Sequence, residues 1–194
     1  MIVYITLWCA VLLKGDGDYL NTANKLTMVR IILIPVFLAV LYIGFPYSHF
    51  AAMALFVIAG LTDIADGYIA RHRNQVTDFG KLMDPLADKV LVVAAMLWFV
   101  ERDVMPAWVA LIVIIREFMV TALRLIAVDN GRVIAAAISG KIKTVVTMVC
   151  LTAMFLPLEQ WVIYVCVALI TVTTVVSGVE YFIKNKDILN YGNK

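Results

Sequence analysis

After a polar break near residue 20, the chain alternates long apolar runs with short polar or turn-forming segments. Six such runs predict six helices. The first extends from about Leu26 to Gly44, where Phe45-Pro46 stops it. The second extends from about Phe50 to Arg71. The third starts near Asp84-Pro85, with Asp84 as a cap and Pro85 in the first turn, and ends near Val100. The fourth covers about Pro106 to Val128, the fifth Gly140 to Leu156, and the sixth Gln160 to Lys184. Residues Met1 to Leu13 are also apolar, but thirteen residues are too few to cross a ~30 Å hydrocarbon layer as a helix. They lack a basic leader and an Ala-x-Ala site, so they make a poor signal peptide. Residues 1–20 are expected to form an N-terminal extension, lying at the interface or appended, and residues 21–194 a single membrane domain.

Composition turns these runs into membrane spans. The 194 residues are 63% hydrophobic and 15% charged, far from the balance of a water-soluble domain. The fold class expected is therefore an all-α, polytopic membrane protein with six transmembrane helices. The net charge of +2 says little, but its distribution says more. Lys25 precedes the first helix, and Arg71, Arg73 and Lys81 lie between the second and third. Arg132, Lys141 and Lys143 lie between the fourth and fifth, and Lys184, Lys186 and Lys194 follow the sixth. The segments 45–49 and 157–160 carry no Lys or Arg, and Arg102 is flanked by Glu101 and Asp103. The positive-inside rule then puts both termini in the cytosol. Cys9, Cys150 and Cys166 have neither metal nor redox spacing and fall in apolar runs. His49 and His72 are isolated, and no nucleic-acid motif, internal repeat or low-complexity tract is present.

One stretch breaks the apolar pattern at a cost. Asp63, Asp66, Asp84 and Asp88 are four carboxylates beside apolar runs. Charge near hydrocarbon is unfavourable unless it is paired, hydrated or metal-bound. Acids of one sign cannot pair with each other, whereas divalent cations remove the conflict. On helices, Asp63 and Asp66 share a face at i and i+3, and Asp84 and Asp88 share one at i and i+4. Hard oxygen ligands of this kind suit Mg²⁺ or Mn²⁺. Two such ions can stabilise the attacking and leaving oxygens at one phosphorus. Gly67 and Ala70 are small enough for a ligand to approach the backbone, and Arg71 is placed to hold a phosphate. A charged loop between two helices would account for Arg71, Arg73 and Lys81. It would not account for Asp63, which continues the apolar run from Phe50 to Leu61.

A second constellation is basic. Arg116 and Arg124 interrupt the fourth apolar run, and Arg116 falls near its middle, where it needs an anion or a wet cavity. Glu117 is adjacent, but sequence neighbours diverge on a helix. Lys141 and Lys143 open the fifth helix and diverge as well, so one of them is expected to face the site. Lys141, Lys143 and Arg124 can also be read, less favourably, as snorkelling to anionic head groups.

The acidic stretch, Asp-x₂-Asp-Gly-x₂-Ala-Arg-x₈-Gly-x₃-Asp-x₃-Asp, resembles the signature of the CDP-alcohol phosphotransferases. All eight fixed positions match: Asp63, Asp66, Gly67, Ala70, Arg71, Gly80, Asp84 and Asp88. Upstream, Asn24, Leu26, Thr27 and Arg30 match a segment that often opens family members, with Ala23 where those have proline. Ile115-Arg116-Glu117, Leu123-Arg124 and Gly140-Lys141-x-Lys143-Thr144 are similar to the branch that uses glycerol 3-phosphate as acceptor. The resemblance spans most of residues 21–184. It implies phosphatidyl transfer from CDP-diacylglycerol to glycerol 3-phosphate, with release of CMP. It also implies two divalent cations on Asp63, Asp66, Asp84 and Asp88, with Asp88 as the catalytic base. Asp63, Gly67, Ala70, Arg71 and Gly80 would line the CDP site, and Arg116, Arg124, Lys141 and Lys143 would bind the acceptor phosphate. A homodimer in a bacterial cytoplasmic membrane, its active site facing the cytosol, is implied too. Other acceptors within the family (inositol phosphate, serine, phosphatidylglycerol) remain open. A membrane prenyltransferase also sets aspartates against a diphosphate, but its motifs are differently spaced. A cation transporter would leave Arg71, Arg116 and the lysines unexplained.

Overall fold

A computed structural model describes the backbone of residues 22–73, 78–129 and 137–186, with side chains at residue 29 and over 32–62, 89–128 and 137–186. Among these residues every regular element is a helix: α1 Thr22–Ile43, α2 Ser48–Arg73, α3 Asp78–Glu101, α4 Ala107–Asp129, α5 Ile138–Met154 and α6 Gln160–Lys184. The apolar runs and their breakers thus located all six. Expectations for residues 1–20, for Arg132 and for Lys194 lie outside the described residues.

One expected boundary is corrected. α3 starts at Asp78, so Asp84 and Pro85 lie inside the helix and Asp84 is not its cap. An interior proline removes one backbone bond, a loss that neighbouring groups in a packed helix bundle can make good. Pro35 inside α1 shows the same tolerance.

Two short connections are built by left-handed residues. Gly44, at φ 66°, follows the last residue of α1, in the position where a helix commonly ends on glycine. α3 ends differently. Asp103 takes φ 56°, its N–H donates to the Val100 carbonyl at 3.1 Å, and the Val104 N–H donates to the Phe99 carbonyl at 2.9 Å. This is a Schellman closure with aspartate at the left-handed position.

The chain divides within α3, between Ala95 and Met96, into two compact units. In the first, α1 packs on α2. Ile34, Phe37 and Leu41 recur at helical spacing on α1, and Ala52, Phe56 and Ala59 on α2, and all six are buried. The Phe37 and Phe56 rings meet with centroids 6.1 Å apart.

In the second unit α6 packs against both α4 and α5. Its buried positions include Cys166, Ile170, Thr174, Ser177, Gly178 and Tyr181. Its exposed positions include Val165, Leu169, Val172, Val176, Val179 and Ile183. Small and polar groups share the inner face with Val167, Ile170 and Tyr181, while most of the aliphatic side chains lie outside, unlike the usual arrangement of a helix packed in water. The buried hydroxyls are satisfied within the helix: Thr174 donates to the Ile170 carbonyl at 2.6 Å, and Ser177 to that of Thr174 at 3.1 Å. Among the described residues, α6 is the one helix long and apolar enough by composition to cross a membrane. Ile32–Ile43 and Ser48–Thr62 are shorter apolar helical stretches. At the α3 end, the Phe155 ring lies 4.7 Å from that of Phe99 and 5.9 Å from that of Trp98, centroid to centroid.

A β-carbon in the left-handed region costs about 1–2 kcal/mol, less for aspartate than for most residues. Asp103→Gly is therefore expected to leave stability unchanged or to raise it by up to ~1 kcal/mol. Thermal unfolding in detergent would check this, and a clear loss of stability would show that the Asp103 side chain is needed at the turn.

Candidate active site

The acidic signature is carried by two successive helices. Asp63, Asp66, Gly67, Ala70 and Arg71 lie on the last turns of α2, and Gly80, Asp84 and Asp88 on the first half of α3. The helical spacing expected for both carboxylate pairs is therefore present in the backbone. The side chains from Asp63 to Asp88 lie outside the described residues. Just before them, the Thr62 hydroxyl donates to the Ile58 carbonyl, which closes its polarity within the helix. Four aspartates are a donor set of hard, anionic oxygens, the chemistry that suits Mg²⁺ or Mn²⁺. Among the residues whose side chains are described, there is no cluster of three or more His, Cys, Asp or Glu that could hold a metal ion.

The side chains of Arg116, Arg124, Lys141 and Lys143 are all described, and among them Arg116 and Lys143 join an ion cluster rather than standing as separate cations. Glu117 Oε1 accepts from Arg116 Nη1 at 3.0 Å and from Lys143 Nζ at 2.7 Å. The three side chains retain only 12%, 20% and 5% of their accessible surface in the order Arg116, Glu117, Lys143, so the bonds form away from bulk solvent. The expectation that Arg116 and Glu117 diverge is thus corrected. Their Cβ atoms do point apart, but the arginine side chain is long enough to bring its fork back to the neighbouring carboxylate.

Room for the guanidinium comes from two glycines. A β-carbon at Gly140 on α5 would lie 3.3 Å from Arg116 Nη2, and one at Gly178 on α6 would lie 3.3 Å from Arg116 Cγ. Both distances are tighter than ordinary packing. Arg116 Nε is buried with no hydrogen-bond partner among the described residues, and so is Thr147 Oγ1, one turn beyond Lys143. These are the polar atoms left over once Glu117 has been served.

Arg124 lies two turns further along α4 and is exposed. Its Nε donates to the Tyr181 hydroxyl at 3.2 Å, and its Cζ sits 5.8 Å from the centroid of that ring. Tyr181 is buried against Val120 and Leu123, with Ala137 and Phe182 beside it. Of the two lysines that open α5, Lys143 is buried and Lys141 is exposed. The structure therefore brings Arg116 and Lys143 together through Glu117, anchors Arg124 on Tyr181, and leaves Lys141 at the surface. Sequence reasoning missed Tyr181 and Gly178 and set Glu117 aside. A single glycine within the 25-residue apolar α6 was the available signal.

Comparison with known proteins identifies the family. The family model described as CDP-alcohol phosphatidyltransferase matches residues 20–176. The chain is similar to a Bacillus subtilis protein named CDP-diacylglycerol–glycerol-3-phosphate 3-phosphatidyltransferase. The two are 42% identical over 195 residues, covering 89% of this chain and 99% of the relative. An Escherichia coli protein of the same name is 40% identical over 162 residues, covering 81% and 88%. A Mycobacterium tuberculosis protein named probable phosphatidylglycerophosphate synthase is 37% identical over 175 residues, covering 87% and 83%. A family match over most of the chain, an intact eight-position acidic signature and relatives of nearly equal length lead to one conclusion: the chain belongs to the CDP-alcohol phosphatidyltransferase family.

Proposed function

We infer that this chain transfers the phosphatidyl group of CDP-diacylglycerol to the free primary hydroxyl of glycerol 3-phosphate, giving phosphatidylglycerophosphate and CMP. The observation that carries this reading is the 42% identity, over 89% of the chain, to a relative named for that reaction. The chemistry of the chain's own residues is consistent with it. The acceptor oxygen attacks the phosphorus that bears the diacylglycerol, the bond from that phosphorus to the CMP oxygen breaks, and Asp88 takes the hydroxyl proton. Asp63, Asp66, Asp84 and Asp88 would hold two divalent cations, which when bound supply positive charge to the diphosphate. Asp63, Gly67, Ala70, Arg71 and Gly80 form the CDP site, the small residues admitting the nucleotide and Arg71 binding its phosphate. No serine or cysteine lies between Asp63 and Asp88, and His72 is isolated in sequence from the acids, so direct in-line attack follows.

Glycerol 3-phosphate also carries a phosphate that does not react. Arg116 and Lys143 are assigned to it, with Arg124 at the edge and Lys141 as an outer charge. Two cations sharing one carboxylate leave a net positive charge in a partly dry setting, and a guanidinium fork matches a phosphate.

The chain is further read as crossing a bacterial cytoplasmic membrane six times, with both termini and the active site on the cytosolic side. α1 to α4 and α6 each have 22 or more residues, about 33 Å or more of helix against a ~30 Å hydrocarbon core. Charges clustered at alternate connections support the orientation. The aliphatic outer face of α6 suits lipid or a second copy, in keeping with a homodimer.

CMP release from CDP-diacylglycerol with a panel of acceptor alcohols tests the reading, and a preference for inositol phosphate or serine would overturn it. Asp→Asn at Asp63, Asp66 or Asp84 is expected to abolish turnover at ordinary Mg²⁺ or Mn²⁺, and near-normal activity would remove that residue from the metal site. Arg116→Ala is expected to weaken use of glycerol 3-phosphate by roughly two to three orders of magnitude, the scale of a lost set of charged hydrogen bonds. CDP-diacylglycerol binding should change far less. For topology, cysteines introduced at Arg73 and Tyr47 should be labelled from opposite sides of the membrane, and labelling from one side would exclude six spans.

A further inference from the structure

We propose that Glu117 and Gly178 are positioning residues that fix where Arg116 and Lys143 present their charge, and so set selectivity for a phosphorylated acceptor. The proposal rests on the acceptor reading just given for Arg116 and Lys143.

Arg116 and Lys143 come from different helices and carry like charge, so without a third group they repel one another. Glu117 removes that repulsion by accepting from both through the single atom Oε1, at 3.0 and 2.7 Å. The shared oxygen fixes the distance between the two cations as well as their charge balance. It also occupies only one edge of the guanidinium. Nε remains buried without a partner among the described residues, so donor capacity is held back for an incoming anion.

Gly178 acts on the same group from the opposite direction. A β-carbon there would lie 3.3 Å from Arg116 Cγ, which is the stem of the side chain and not its mobile tip. A displacement at Cγ is carried through the remaining bonds to the fork, and bidentate recognition of phosphate depends on the angle of that fork. Gly140 leaves the same narrow clearance beside Nη2. Arg116 is thus held by a carboxylate at one end and by a steric notch at its base. Neither Glu117 nor Gly178 needs to touch substrate for this role.

A positioning role and a simple charge-balancing role for Glu117 predict opposite signs. If Glu117 only dilutes positive charge, Glu117→Gln makes the pocket more attractive to a phosphate dianion and lowers the acceptor KM. If it positions, the same change frees two cations from their common anchor and raises that KM. Gly178→Ala keeps every charge and tests position alone.

The experiment uses the full chain, purified in detergent with mixed micelles of CDP-diacylglycerol. CMP release gives KM for each substrate and kcat for wild type, Glu117→Gln, Gly178→Ala and Arg116→Ala. Glu117→Gln and Gly178→Ala are each expected to raise the glycerol 3-phosphate KM roughly tenfold or more, the scale of one impaired charged hydrogen bond. The CDP-diacylglycerol KM should stay within about twofold, so the effect appears on one substrate only. An unchanged or lower acceptor KM in both variants, with Arg116→Ala still raising it, overturns the positioning roles and leaves the acceptor reading standing. An unchanged acceptor KM in Arg116→Ala overturns the acceptor reading and the proposal together. Equal rises for both substrates mark a general loss of packing and also overturn the proposal. If either variant fails to fold, as judged by its unfolding temperature in detergent, the other decides.

Discussion

A charged side chain placed within an apolar helix has to be solvated by the protein itself, and much of the second unit is arranged around that requirement. On the six-span reading proposed above, placing arginine at the centre of α4 would cost about 2.5–3.5 kcal/mol on insertion scales. Arg116 meets this with a carboxylate from the next residue, a second cation on α5 to share it, and space supplied by glycines on two neighbouring helices. The parts depend on one another. Removing one partner of a buried ion pair typically costs about 3–5 kcal/mol, because the remaining charge is left stranded. Among its described partners, Glu117 has two cations to strand.

The packing around this cluster follows from the same condition. A helix bundle in lipid gains little from burying large aliphatic groups, since lipid is as apolar as leucine. The inner face of α6 can therefore be given over to Thr174, Ser177, Gly178 and Tyr181, which allow close approach and offer polar atoms. Leu169 and most of its valines turn outward. Tyr181 links the two roles, since its ring packs on Val120 and Leu123 while its hydroxyl receives the Arg124 Nε–H.

The helices were legible because each is a long apolar run closed by a strong breaker, such as Phe45-Pro46 or the Pro157 segment. The start of α3 was misjudged because Asp84-Pro85 carries local features of a helix start, and tertiary context overrode them in favour of Asp78. The acidic signature was legible because its spacing is periodic within each helix. The partner of Arg116 was not, because the direction of a Cβ does not fix where a long side chain ends. Nor could sequence alone choose between Lys141 and Lys143, since both lie in the same turn and only the fold, which sets Lys143 against Glu117 on α4, buries one of them.

The clearance at Gly178 has a consequence for how the protein can change over evolutionary time. Sliding α6 by one residue along its own axis would replace Gly178 with Ser177 or Val179 opposite the Arg116 stem. Such a step shifts a helix by ~1.5 Å and turns its faces by about 100°, so the substitute would bring a side chain into a gap that does not admit a single methyl group without adjustment. The register of α6 and the seat of the guanidinium are therefore one variable. Insertions or deletions within this helix would disturb the polar cluster before they disturbed its exposed aliphatic face, whereas the outward aliphatic residues can exchange among themselves freely. Inherited variation in α6 should accordingly collect on its outer face and be sparse along the line through Thr174, Gly178 and Tyr181.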